Sequence, residues 1–171
     1  MAAIALCLAG VAPANAQTLS EAQLRVRFLL NFLRFAEWPE NTFASADAPI
    51  KVCVLGPLDV FDGALPEIQG ASVGTHRIDV QGPVSADAAS SCNLLYAPDA
   101  ELRRLPEARS AIGKRAVLIV GESESALDRG GMVALRSTQR HLAFVVKLGS
   151  ARDTGLNFSP QMLQAAAEVL P

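Results

Sequence analysis

The sequence predicts a single α/β domain with a mixed, mostly parallel sheet of about six strands and helices on both faces. Three observations predict it. Apolar runs of strand length alternate with helical patterns along the chain. One run, Ala116-Val117-Leu118-Ile119-Val120, is apolar without a break, as in a strand covered on both faces. A short polar connection, Arg136 to His141, joins the last two strand patterns and implies an antiparallel edge. The length of 171 residues fits one domain, and a hydrophobic half of the composition is enough for one core.

The elements follow in order. Thr18 to Glu37 reads as the longest helix, stopped by Pro39. Ser20 with Gln23 forms a capping-box pattern, and Thr18 with Glu21 a rival one. Leu24, Phe28 and Phe35 make one apolar stripe, and Val26, Leu30 and Leu33 another. Gln23, Arg27, Asn31 and Arg34 share one narrow polar face. Such a helix is either clamped inside its domain or shared with a second chain. Lys51 to Gly56 is a strand ended by Gly56-Pro57, and Asp59 to Leu65 a short helix. Gly70 to Gly74 is a turn, and His76 to Gln81 a strand broken by Gly82-Pro83. Asp87 to Ser91 leads into a strand at Cys92. Asp99 to Ile112 is a helix interrupted or restarted at Pro106, and Arg115 to Gly121 a strand. Ser123 to Leu127 is a helical turn; Met132 to Leu135 and Leu142 to Leu148 are strands. Ser159 at the N-cap and Pro160 at N1 open a last helix that runs to about Val169.

Residues 1–16 read as a leader. Ile4 to Ala12 is apolar but too short for a bilayer span of about 20 residues. Pro13 and Ala14-Asn15-Ala16 then fit a small-x-small cleavage site before Gln17, although the usual basic start is missing. A buried N-terminal helix is the alternative. An exported domain of residues 17–171 retains two cysteines, Cys53 and Cys92, each in an apolar strand-like run. An even pair in an oxidising compartment is a disulfide candidate; two buried free thiols are the other reading.

Little in the chain points to catalysis. Gly56-Pro57-Leu58-Asp59 after the first sheet strand lacks a phosphate-loop pattern, and Pro57 removes a backbone donor. His76 and His141 have no partner at metal-ligand spacing, so no metal or cofactor is expected. No serine sits in a nucleophile elbow. Glu122 and Glu124 follow the Val120 strand, where α/β ligand sites often lie; a solvated loop is the favoured reading, because no histidine, metal site or third polar group accompanies them. Arg103, Arg104, Arg109, Lys114 and Arg115 form a basic run, read either as a wet helix face or as a surface for an acidic partner. A net charge of −2 argues against nucleic acid as the partner. Trp38, the single tryptophan, suits either an interface anchor or the closing of a helix end.

Asn31-Phe32-Leu33-Arg34-Phe35-Ala36-Glu37-Trp38-Pro39 resembles the opening signature of the YfiR family of periplasmic regulators. Cys53-Val54-Leu55-Gly56, Cys92-Asn93-Leu94-Leu95-Tyr96 and Gly130-Gly131-Met132-Val133 follow in that family's order. Phe144-Val145-Val146-Lys147 is similar to its Phe-Glu-Ile-Asn segment. Gly155-Leu156-Asn157-Phe158-Ser159 with Met162-Leu163 is similar to its ending. Lys147 and Val145 depart from the usual asparagine and glutamate. The resemblance implies a non-enzymatic periplasmic repressor that binds the periplasmic region of an inner-membrane diguanylate cyclase, and a homodimer. It also implies that Cys53 and Cys92 occupy a family disulfide position, and that Arg34, Glu37 and Trp38 of the opening signature belong to a partner-binding surface. A periplasmic small-molecule-binding sensor module is the rival reading, and a hydrolase centred on Glu122 a more distant one.

Overall fold

The computed structural model describes residues 19–138 and 141–171; the stretch read as a leader lies outside them. Helix α1, Glu21–Phe35, opens on the Ser20–Gln23 capping box, with both reciprocal hydrogen bonds present. Two short strands pair antiparallel, β1 (Ala36–Glu37) with β9 (Asn157–Phe158). The main sheet has eight strands: β2 (Ile50–Leu55), β3 (Ser72–Val73), β4 (His76–Val84), β5 (Leu94–Ala97), β6 (Leu118–Gly121), β7 (Val133–Ser137), β8 (Leu142–Lys147) and β10 (Glu168–Leu170). Their order is β10-β8-β7-β6-β5-β2-β4-β3. Pairing is parallel from β4 through β2, β5 and β6 to β7, and antiparallel at β3–β4 and β7–β8.

The central strands of this sheet are dry on both faces. Val52 and Val54 of β2, Leu94 and Tyr96 of β5, and Leu118 and Val120 of β6 point to one face. There they meet Val26, Leu29, Phe32 and Leu33 of α1, all fully buried. Phe28, Phe32 and Phe144 complete this layer, with ring centroids 5.0–5.8 Å apart in tilted and edge-on contacts. Cys53, Leu55, Leu95 and Ile119 point to the opposite face. They pack on Leu105, Ala108 and Ile112 of helix α2 (Leu105–Ile112). Cys53 is bonded to Cys92 with Cα atoms 6.0 Å apart, tying β2 to the segment that enters β5.

The α/β class and the mixed, mostly parallel sheet agree with the sequence, while several elements differ from it. The sheet has more strands than the expected six because residues outside the strong apolar runs join it by backbone pairing. The last helix, α4, ends at Ala165, and Glu168–Leu170 forms β10 on the open side of β8. The β7–β8 hairpin is therefore not the edge. Ala166 is extended, and pairing with β8 satisfies backbone groups that a further helical turn would leave beside an open strand. Gly82-Pro83 does not end β4, which runs to Val84. A register shift at Val52/Cys53 absorbs Gln81, and β3 pairs only with His76 and Arg77, so Pro83 lies where β4 is an edge. The Gly70–Gly74 turn contains β3, and the Asp59–Leu65 helix resolves into 3₁₀ turns at Asp59–Phe61 and Leu65–Ile68. Helix α1 stops before Pro39 because Ala36 is already extended and paired with Phe158. Helix α3, Leu148–Arg152, follows β8 directly.

The disulfide closes a sequence separation of 39, for which loop-closure entropy gives an upper-end stabilisation of about 4 kcal/mol. Replacing Cys53 and Cys92 by alanine lowers stability by roughly 2–4 kcal/mol, read as a shifted urea midpoint. An unshifted midpoint would show that the fold does not use the cross-link.

Candidate functional site

The sheet changes winding direction between β2 and β5, and the crevice beyond their carboxyl ends is the usual ligand position in such folds. Here that crevice is filled. Gly56 leaves β2 with φ of +80°, and a Cβ added there would lie 2.7 Å from the Glu101 side chain. Glu101 is thus pressed over the end of β2, and it accepts a hydrogen bond from Arg104 at 3.1 Å. At the end of β6, Gly121 permits a still closer approach, since an added Cβ would collide with Ala126 at 2.1 Å.

Beside the crevice lies a shallow cleft of about 460 Å³, ringed by ion pairs. Arg25 of α1 donates to Glu122 at 2.7 Å, to Glu21 at 2.8 Å and to the Val60 carbonyl at 3.1 Å. Glu122 also accepts from the Asp99 amide at 2.9 Å, and the Ser123 hydroxyl donates to the Asp99 carboxylate at 2.6 Å. Arg136 donates to Glu124 at 2.5 and 3.0 Å and to Glu168 at 2.8 Å, linking three separate segments. The structure therefore assigns Glu122 and Glu124 to different arginines. The hydrogen bond from Arg136 holds the Glu124 carboxyl below its ordinary value, so it stays ionised. Nothing in the sequence marked Arg25, Asp99, Arg136 or Glu168, because these pairings join positions far apart in the chain. Beneath this ring Tyr96 is buried against Phe61, with centroids 4.7 Å apart and a hydroxyl that has no partner. Burial, aided by the negative field of Glu122, pushes its phenol well above the ordinary value.

The opening-signature residues lie where α1 meets β1. Arg34 and Glu37 are exposed, and neither has an ion pair among the described residues. Phe35 between them is 38% exposed, one of two large hydrophobic side chains that are exposed among the described residues. Trp38 is half-buried edge-on to Phe43 at 5.9 Å, and its indole N–H is buried without an acceptor. The outward side of α1 also carries Arg27 and Asn31, while its inward side is clamped in the core.

Neither histidine has metal-ligand geometry. His76 stacks on Phe43 at 4.1 Å and its Nδ1 lies 2.7 Å from the Ala48 carbonyl; His141 closes the hairpin against Thr138. Among the described residues no three His, Cys, Asp or Glu side chains gather as a metal site would require. No described helix is long and apolar enough to cross a membrane. Within the basic run, Arg104 pairs with Glu101 and Arg109 donates to the Gly113 carbonyl, so the run is divided among separate partners. Lys147, which departs from the asparagine of the resemblance, donates to the Leu127 carbonyl at 3.2 Å.

Two pH effects follow. Glu124 has a lowered folded value, so its contribution is present above about pH 4.3 and fades as pH falls through the folded value. Half-exposure limits it to less than about 1 kcal/mol, and Arg136→Gln should flatten that part of the acid limb of a urea-stability profile. Tyr96 has a raised folded value, so its contribution is complete below about pH 10 and is lost as pH rises further. Tyr96→Phe removes an unpartnered hydroxyl, leaves stability at pH 7 within about 1 kcal/mol of the parent or higher, and flattens the alkaline limb. An unchanged alkaline slope would contradict the assignment.

Comparison with known proteins places this geometry. A conserved domain protein of Vibrio cholerae O1 biovar El Tor str. N16961 superimposes with a TM-score of 0.60 at 13% identity, over 88% of this chain and 60% of that one. The ABC domain in complex with L-Trp from Streptococcus pneumonia gives 0.56 at 13% identity, over 87% and 60%. This chain thus spans less than two thirds of either relative, and at such identity the likeness shows the fold alone. A YfiR/HmsC-like family model matches residues 22–167, from the first turn of α1 to the entry of β10. The chain belongs to the YfiR/HmsC-like family.

Proposed function

We propose that residues 17–171 act, after export and removal of residues 1–16, as a periplasmic regulator without catalytic activity. The domain binds the periplasmic region of an inner-membrane diguanylate cyclase and represses it. Cyclic di-GMP falls, and biofilm formation is restrained. The observation that carries this reading is the family match across nearly the whole described domain. The Cys53–Cys92 bridge supports it, because disulfides persist in oxidising compartments. The docking surface lies at the end of α1; the exposure of Arg34, Phe35 and Glu37 beside Trp38 supports this reading. Repression works by differential binding: a few kcal/mol in favour of the inactive cyclase shifts its population. The protein acts as a homodimer.

A second reading, a periplasmic small-molecule-binding sensor module, is favoured by one observation, a cleft of about 1070 Å³ at the other end of the sheet.

Deleting the gene should raise cellular cyclic di-GMP, and the intact gene should restore it. Arg34→Glu with Phe35→Ser should fold with an unchanged urea midpoint yet fail to restore repression. The mature protein should also retain a membrane cyclase in a pull-down from envelope extract. Unchanged cyclic di-GMP on deletion would refute the repressor reading; full repression by the folded double variant would move the docking surface elsewhere.

A further inference from the structure

A cleft of about 1070 Å³ opens at the amino ends of β2, β5 and β6, opposite the ion-paired end. Its charge is one-sided. Lys51, Lys114 and Arg115 line it, and among the described residues no aspartate or glutamate does. This protein has three lysines in a chain of net charge −2, and two of them face this one cleft. None of the three cations has a carboxylate partner among the described residues, whereas Arg25, Arg104 and Arg136 all do. Asp47, close by in sequence, is not in the lining and accepts from Ser45 instead.

The backbone that carries these cations is fixed by structure. Lys51 exchanges backbone bonds with Asn93: its amide donates to the Asn93 side chain at 2.9 Å, and its carbonyl accepts from the Asn93 amide at 2.8 Å. The neighbouring disulfide keeps those two segments in register. Gly113, with φ of +62°, turns the chain at the end of α2 so that Lys114 and Arg115 follow at the cleft.

We propose that this cleft binds a phosphate-bearing ligand through Lys51, Lys114 and Arg115. Three cations exceed what a single carboxylate would balance, while a phosphate offers up to two charges and three acceptor oxygens. The ligand is either a free phosphorylated small molecule or the headgroup of an anionic phospholipid; the chemistry is shared. The site requires no cyclase, so its test is separate from that of repression.

Titration of the full mature protein with inorganic pyrophosphate by calorimetry should show saturable binding that weakens with added salt. Trp38 offers a second readout, because it packs on Phe43, which lines the cleft. Lys114→Gln with Arg115→Gln, both exposed positions, should weaken binding by about tenfold per cation while leaving the urea midpoint in place. Adding Lys51→Gln should abolish it. Vesicles of phosphatidylglycerol form the other arm. Recruitment lost in the same variants assigns a lipid headgroup, and pyrophosphate binding without recruitment assigns a free ligand. No binding in either arm, binding unchanged in the triple variant, or equal affinity for citrate would overturn the proposal.

Discussion

Burial of β2 on both faces and both edges is the constraint from which the rest of the molecule follows. Its strand pairs in parallel with β4 on one side and β5 on the other. Val52 and Val54 face α1, and Cys53 and Leu55 face the layer of α2. A strand buried from Val52 to Leu55 has one acceptable register, because a slip of one residue would exchange both sets of side chains. The disulfide adds a covalent restraint at that same strand. Parallel neighbours demand crossovers, and these place helices and 3₁₀ turns over both faces.

That arrangement gives the sheet two unlike ends. At the carboxyl end, short turns bring Glu101, Glu122 and Glu124 close to arginines from α1, the N-cap of α2 and β7, and the crevice closes on itself. Ion pairs among partly exposed groups there are worth little individually, but they join segments remote in sequence. At the amino end, the loop after β1 and the segments entering β5 and β6 stand apart, and their cations have no such partners. Charge is therefore neutralised at one end and left open at the other, although the chain as a whole is close to neutral.

Helix α1 serves both the interior and the surface. Val26, Leu29, Phe32 and Leu33 are held in the core, which accounts for the clamped side of a helix apolar on several sides. Phe35 stays outside with Arg27, Asn31 and Arg34. A helix clamped by four fully buried side chains presents its outer face rigidly, and rigid presentation reduces the ordering cost of association.

The long helix with its Ser20–Gln23 cap, the central strands, the β7–β8 hairpin and the pairing of two cysteines were legible in the residues alone, as was the family resemblance. These features rest on local patterns: hydrophobic period, capping chemistry, turn residues and an even cysteine count. Strands β3 and β10, the continuation of β4 through Pro83 and the early end of α4 were not legible. Each depends on a neighbouring strand offering an open row of backbone groups, which no local pattern records. The Arg25–Glu122 and Arg136–Glu124–Glu168 pairs and the gathering of Lys51, Lys114 and Arg115 likewise appear only when the parallel sheet brings strand ends together. Local periodicity specifies which face of an element is apolar. Only tertiary packing decides which charges become neighbours, because charge proximity is a property of distance in space and not of separation along the chain.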